Sequence, residues 1–301
     1  MESVTLKVNK EIANKIKDFY LDKQIENKGE YISFSAKSDD VVINIYDSKK
    51  EKTTITFMGK GALEEAKIFD TDAKINEVKK DNKKFIDYQD QIGSDEVGVG
   101  DFLLPIIVVA SFVKESQMKR IKELGIADSK KLTDNKIREL GPTIIKEFEF
   151  SKLTLTNEKY NEVIASGENL NSIKAKMHNK ALLNLLIKYP DVFALYVDQF
   201  VSPSNYYNYL KGEKEILKGI SFMCKGESLF PCVALASVIA RYSFLLEKDK
   251  LEKKYNMTFP CGASKKVDEF AKEFIDKFGE VEFSKICKHN FINYKKTKEL
   301  M

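Results

Sequence analysis

The chain has 301 residues, 43% of them hydrophobic and 32% charged, which suffices for two domains with packed cores and excludes a globally disordered protein. The net charge of +4 and an isoelectric point of about 8.5 permit nucleic-acid binding without arguing for it, because values above about 9 are typical of that class. Four cysteines without a Cys-x-x-Cys pair, together with two histidines, exclude an ordinary zinc site. There is no signal-peptide pattern, and the longest nearly apolar stretch, residues 102–113, is too short to span a bilayer. We therefore expect a soluble cytoplasmic protein with free thiols and no membrane contact.

The first 70 residues predict a small α+β unit. Residues 3–8 alternate apolar and polar side chains as a strand does, and residues 10–20 carry apolar side chains at the helical period. Three strand-like runs follow between residues 31 and 58, and residues 62–69 return to a helical pattern. The predicted order is therefore β-α-β-β-β-α.

A polar segment separates this unit from the rest of the chain. Residues 76–90 are dense in Lys and Asp and poor in large apolar side chains, which favours a linker. We therefore expect an N-terminal domain over residues 1–75 and a second domain over residues 91–301.

The second domain predicts strands and helices without a regular βαβ alternation. A strand reaches Ser94, a glycine-punctuated turn and an apolar strand follow, and later segments predict strands at 148–155, 192–197 and 220–223, helices at 171–188 and 231–250, and two more helical stretches at the end. This order indicates an α/β domain on a mixed sheet.

Two adjacent acids, Asp95 and Glu96, stand at the end of the first strand of this domain. Neighbouring carboxylates repel each other unless a cation lies between them. Both can reach one site only if the strand bends there. The following Gly98 and Gly100 would allow a bend at little steric cost, because glycine has no Cβ. Taken alone, the pair is equally consistent with a solvated acidic turn.

Asp198 and Glu227 are two further candidates. Asp198 closes the apolar run VFALYVD, so it emerges at the carboxyl end of a buried strand, although a lone Asp there commonly starts a turn. Glu227 precedes the long helix, where an acid commonly stabilises the helix N-terminus. Several acids at the ends of strands and helices, with almost no histidine, are the ligand chemistry of Mg²⁺ or Mn²⁺.

Other catalytic patterns fit less well. Gly98 and Gly100 could begin a dinucleotide fingerprint, but Leu103 occupies the third glycine position and a strand follows. His178 and His289 have no flanking nucleophile signature, so a structural or phosphate-contacting role is favoured for both.

Several segments resemble the type 2 ribonucleases H, and in particular their HIII branch. They are IGSDEVGVGD (92–101), DSKKL (128–132), VDQF (197–200), KGES (225–228) leading into ALASVIARY (234–242), and shorter matches at 169–171, 177–179, 202–210 and 262–264. Together they cover nearly all of residues 90–290. The sequence departs from the usual pattern at Val99, at 102–104 and at Cys261.

The resemblance implies a ribonuclease H-like catalytic domain, preceded by a domain similar to one TATA-binding-protein repeat that helps to hold substrate. It implies two-metal hydrolysis of the RNA strand of RNA–DNA hybrids, with 5′-phosphate and 3′-hydroxyl products, by a protein we expect to be a monomer. The metal ligands and catalytic residues that it implies are Asp95, Glu96, Asp198 and Glu227.

The same resemblance suggests where substrate is contacted. The implied positions are Gly98, Val99, Gly100, Ser129, Lys130 and Lys131. Glycine backbone can approach the minor groove closely and read a 2′-hydroxyl there, whereas the two lysines are equally consistent with a solvated surface pair. Ser237 and its neighbouring alanines are more typical of close packing between helix and sheet.

Three alternatives remain at this point. The HII branch, which cuts at single embedded ribonucleotides, differs in the block at residues 258–264. Loss of any of the four acids would favour a non-catalytic hybrid-binding protein, in which acids serve only structure, and all four are present. An unrelated metal-dependent nuclease would act on DNA duplexes.

Overall fold

The computed structural model describes residues 2–26, 32–46, 52–75 and 85–299. The chain divides into two compact units, residues 1–82 and 83–301. Most of the predicted linker, residues 76–84, lies outside the described residues, as do the side chains of Asp128, Lys130 and Glu299. No helix in the described ranges is long and apolar enough to cross a membrane.

The first unit is one antiparallel sheet with two helices. Its elements are β1 (Ser3–Val8), α1 (Lys10–Phe19), β2 (Ile32–Ser38), β3 (Val41–Tyr46), β4 (Thr53–Gly59) and α2 (Ala62–Lys67). The strand order is β1-β4-β3-β2. Asn9 begins α1, its side chain accepting the N–H of Ile12 at 2.9 Å, and alternate residues of each strand fill the core. The predicted order of elements is confirmed.

The second unit carries a five-stranded mixed sheet with helices on both faces. Its strands are β5 (Gln91–Val97), β6 (Ile106–Val113), β7 (Glu149–Leu155), β8 (Ala194–Asp198) and β9 (Ser221–Met223). Its helices are α3 (Met118–Glu123), α4 (Asp134–Glu147), α5 (Asn157–Ala165), α6 (Leu170–Leu186), α7 (Pro203–Tyr209), α8 (Pro231–Tyr255), α9 (Lys265–Ile286) and α10 (Ile292–Glu299). The strand order β7-β6-β5-β8-β9 is antiparallel up to β5 and parallel from β5 to β9, which confirms the predicted mixed sheet.

Helices α8 and α6 cover opposite faces of the central strands. Val109 of β6 packs in the core that contains α8, whereas Val108 packs in the core that contains α6, as the alternation of strand side chains requires. Helix α8 approaches β5 so closely that a Cβ on Gly93 would lie 2.5 Å from the Cys232 sulfur. The buried alanines of α8, such as Ala236, permit this approach, as predicted.

Strand β5 extends beyond its predicted end. The sequence predicts that it stops at Ser94, but it continues to Val97 because Asp95 and Glu96 remain paired with β6. The parallel pairing with β8 ends earlier, at Ser94 and Val197. The two acids therefore lie where β5 has one partner strand and its other edge is open.

Candidate active site

The fold brings the four predicted acids to one edge of the sheet. Asp95 and Glu96 lie near the end of β5, and Asp198 is the last residue of its parallel neighbour β8, so both strands deliver acids to the same edge. Glu227 is buried in a single helical turn just before α8. Asp198 Oδ1 accepts the N–H of Gly226 at 2.8 Å, which ties the end of β8 to the turn that carries Glu227.

Asp95 is the most perturbed of these acids. Burial, the negative charge of Glu96 and that of Asp198 raise its pKa to about 7, although hydrogen bonds from the Ser237 hydroxyl and from the Glu96 N–H oppose the change. The N–H of Glu96 lies 2.8 Å from Asp95 Oδ1. Two carboxylates are thus close enough to Asp95 to disfavour its ionised form.

Glu96 lies in a different electrostatic environment, because its side chain contacts two residues of α6. The Lys174 ammonium is 2.5 Å from Oε1, and His178 Nε2 is 2.9 Å from Oε2. Burial opposes the ionisation of Glu96, but the contacts with His178 and Lys174 outweigh it and lower the pKa of Glu96. His178 Nδ1 lies 2.7 Å from the Ser94 hydroxyl, and the Phe200 ring packs against both Lys174 and His178. Glu96 is therefore held in place from two sides.

The two adjacent acids have their partners on opposite faces of the sheet. Asp95 is bonded to Ser237 of α8, whereas Glu96 contacts Lys174 and His178 of α6. The bend that would turn both acids to one side is absent from β5, because its pairing with β6 continues. Accordingly, within the described ranges no three Asp, Glu, His or Cys side chains form a group that could hold a metal ion.

The glycine loop after β5 has an inner and an outer side. Gly98 has a φ of +87°, and a Cβ there would lie 2.0 Å from the Pro105 carbonyl oxygen, so the fold itself requires this glycine. Val99 packs inward against the cluster that contains Tyr160. Gly100 is exposed, and no atom of the described residues lies within 4 Å of the position of a Cβ. Packing therefore explains Gly98 but leaves Gly100 unexplained.

The predicted Asp128–Lys131 segment also lies beside the acids. It forms part of a short 3-10 helix, Ile126–Lys131, and Ser129 lines a cleft of about 190 Å³ together with Glu96, Ser237 and Arg241. Lys131 is exposed at the end of this helix. The Lys130 side chain lies outside the described residues.

Sequence reasoning did not predict that Lys174, His178 and Ser237 contact the acids, although it favoured a structural or phosphate-contacting role for His178 and a packing role for Ser237. Lys174 and His178 are one helical turn apart on α6, and both are buried; a lysine on the apolar side of a helix was the available signal. His178 is hydrogen-bonded to Glu96, whereas the His289 ring stacks on Tyr294. Ser237 packs α8 against the sheet as expected but also donates to Asp95. The four cysteines are unpaired, as predicted.

The chain is similar to known proteins over most of its length. The family described as ribonuclease HII matches residues 92–294, and a family described only as a domain of unknown function matches residues 3–84. Ribonuclease HIII of Bacillus cereus is 42% identical over 213 residues, covering 70% of this chain and 68% of that protein. Ribonuclease HIII of Bacillus subtilis is 39% identical over 279 residues, covering 89% of this chain and 88% of that protein.

Solved structures show the same fold. The crystal structure of Bst ribonuclease HIII in complex with Mn²⁺ has a TM-score of 0.69 and 30% identity, and it covers 99% of this chain and 98% of its own. Ribonuclease H3 from Aquifex aeolicus, at 21% identity and a TM-score of 0.54, covers 95% of this chain and 99% of its own and supports the fold alone. The chain belongs to the ribonuclease HII family, in its ribonuclease HIII branch, and is a metal-dependent endoribonuclease that cleaves the RNA strand of RNA–DNA hybrids.

Proposed function

We propose that this chain cleaves RNA with Mg²⁺ or Mn²⁺ ions that are held by four carboxylates. The four belong to Asp95, Glu96, Asp198 and Glu227. The observation that carries the proposal is that β5 and its parallel neighbour β8 end at the same edge of the sheet, where Asp198 is also bonded to the turn that carries Glu227. Burial and the charges of Glu96 and Asp198 raise the pKa of Asp95 there, which agrees with this placement. A divalent cation among these oxygens would remove the repulsion, and an all-carboxylate donor set suits hard cations.

Cations held by these residues would supply an activated water and would stabilise the leaving 3′-oxygen. Asp95, which lies close enough to Glu96 and Asp198 for their charges to affect it, would be one of the residues that hold the ions. The hydrogen bond from the Gly226 N–H would orient the Asp198 carboxylate as a ligand. In the structure Glu96 is paired with Lys174, so Glu96 must give up that contact to serve as a ligand.

The substrate-facing part of the proposal concerns the backbone after β5. Exposed Gly100, with open space beside it, gives the main chain access to a minor groove, where 2′-hydroxyls distinguish RNA from DNA. Ser129, in the cleft beside Glu96, and Lys131 would contact the phosphates next to the cleavage site.

We further propose that residues 1–75 form a substrate-binding domain, residues 76–90 a linker and residues 91–301 the catalytic domain. The separate cores of the two compact units support a division into two domains. Phe85 is buried in the core of the second unit, which favours including residues 85–90 in the catalytic domain rather than in the linker. We also propose that the protein works as a monomer in the cytoplasm.

The test is cleavage of an end-labelled RNA–DNA hybrid by the full chain in Mg²⁺, in Mn²⁺ and in EDTA. Replacement of each proposed ligand by its amide (Asp95→Asn, Glu96→Gln, Asp198→Asn, Glu227→Gln) should lower the rate by orders of magnitude, because an amide cannot neutralise a cation. Exposed Asp191 provides the matched control, and Asp191→Asn should cleave like the wild type. Cleavage in EDTA, or a folded Asp95→Asn protein with nearly wild-type rate, would contradict the proposal.

A further inference from the structure

Lys288, just beyond α9, is fully buried and bonded to main-chain carbonyls. Its ammonium donates to the carbonyl oxygens of Gly98 at 2.9 Å and Leu104 at 2.5 Å, and also to that of Asp101. These three bonds use all three donors of a lysine ammonium. They connect both ends and the middle of the loop that follows β5.

Burial of the Lys288 ammonium costs free energy of desolvation. Burial lowers the pKa of Lys288 to about 7, and a buried charge is tolerated only where its hydrogen bonds are satisfied. An apolar side chain would fill the same space without that desolvation. The position therefore requires the three bonds rather than the volume of the side chain.

Other bonds anchor the same loop to the C-terminal part of the second unit. The Phe102 N–H donates to the Gly262 carbonyl and the Lys288 N–H to the Phe102 carbonyl, both at 3.0 Å. The N–H of Gly262 donates to Asp101 Oδ1 at 2.5 Å. Lys288 is thus the centre of a network that fixes the path of residues 98–104.

The direction of the carbonyls determines what the loop presents outward. In a trans peptide the C=O of one residue and the N–H of the next point in opposite directions. Because the Gly98 carbonyl faces Lys288, the Val99 N–H points away from Lys288. Gly100, next in the chain, is exposed with open space beside it.

We propose that Lys288 is a positioning residue for substrate selection. By holding the carbonyls of Gly98, Asp101 and Leu104 inward, it sets the outward face of the loop, including the Val99 N–H and the Gly100 backbone, against the minor groove of the hybrid. Its role is to distinguish an RNA-containing duplex from a DNA duplex, not to support the metal chemistry. The inference rests on the proposed function of this loop.

The test compares the full chain with Lys288→Met, which keeps the length of the side chain but removes its donors. Fluorescence anisotropy measures the affinity for an RNA–DNA hybrid and for a DNA duplex of the same sequence, and steady-state kinetics separate KM from kcat. We expect about tenfold weaker binding of the hybrid, unchanged binding of the DNA duplex, and a larger change in KM than in kcat. Lys272, exposed on α9, provides the control Lys272→Met, which should behave like the wild type.

A second variant, Lys288→Gln, retains two donors and should recover part of the preference for the hybrid. An unchanged preference in Lys288→Met, or an equal loss of affinity for both duplexes, would overturn the inference. So would unfolding of both variants in thermal melts, because Lys288 would then serve the stability of the whole unit. A wild-type protein that binds both duplexes equally and cuts neither would instead contradict the proposed function itself.

Discussion

Replacement of Asp95 by Asn should stabilise the protein in EDTA while abolishing its activity. The carboxylate of Asp95 is disfavoured by burial and by the charges of Glu96 and Asp198. Asn is nearly isosteric and carries no charge. Its side-chain oxygen can still accept the Glu96 N–H, and the Ser237 hydroxyl can rotate to accept from the new amide.

The size of the expected stabilisation follows from the raised pKa of Asp95. A pKa of about 7 in the folded protein, against 3.8 as the ordinary value, corresponds to a penalty of about 4 kcal/mol for the ionised form. This figure is an upper limit, because Asp95 retains some exposure to solvent. In a unit of this size it corresponds to a rise in Tm of up to roughly 15 °C.

The difference in stability between Asp95→Asn and the wild type depends on pH. Below about pH 4 Asp95 is protonated in both the folded and the unfolded chain, so the substitution changes little. Between about pH 4 and pH 7 the folded state binds the extra proton, so the stability of the wild type falls as the pH rises. Above about pH 7 the whole penalty applies. The advantage of Asp95→Asn should therefore grow across this window and then level off.

Thermal unfolding in EDTA at a series of pH values from 4 to 8 measures this difference, and a second series with Mn²⁺ measures stabilisation by metal. Mn²⁺ should raise the Tm of the wild type and have much less effect on Asp95→Asn, since ligands that bind only the folded state stabilise it. Asp191→Asn controls for the loss of one negative charge elsewhere. The reasoning is refuted if Asp95→Asn is less stable than the wild type at pH 8 in EDTA, or if Mn²⁺ stabilises both proteins equally.

Three further predictions concern the partners of the acids and the substrate. Lys174→Met should lower the Tm in EDTA and reduce the Mn²⁺ concentration needed for half-maximal stabilisation, because Glu96 loses its ammonium partner; an unchanged Mn²⁺ titration would contradict this. Deletion of residues 1–82 should raise KM for the hybrid far more than it lowers kcat, as loss of a binding module requires, and binding of hybrid by the truncated protein as tight as that of the full chain would refute it. A duplex with four successive ribonucleotides should be cut efficiently and one with a single ribonucleotide poorly. The resemblance implies that the HII branch contacts the RNA-to-DNA junction with a tyrosine in the block at residues 258–264, which contains no tyrosine here, and Tyr255 and Phe259 are buried. Comparable rates on both would indicate HII-type specificity.

Local patterns in the sequence were sufficient for most of the elements and for the positions of the acids. Alternation with period two identified the strands of the first unit, and a buried apolar run placed Asp198 at a strand end, because these periodicities depend only on near neighbours. Motif resemblance added the likeness to ribonucleases H. None of these signals depends on contacts between distant parts of the chain.

The tertiary structure alone decided where β5 ends and what surrounds its acids. Pairing with β6 carries β5 through Glu96 to Val97, so the two acids meet different helices. Lys174 and His178, which hold Glu96, come from a helix about 80 residues away, and Lys288 reaches Gly98 from 190 residues away. Such contacts follow from the packing of helices and strands that are distant in sequence, and no local period records which buried polar groups will meet.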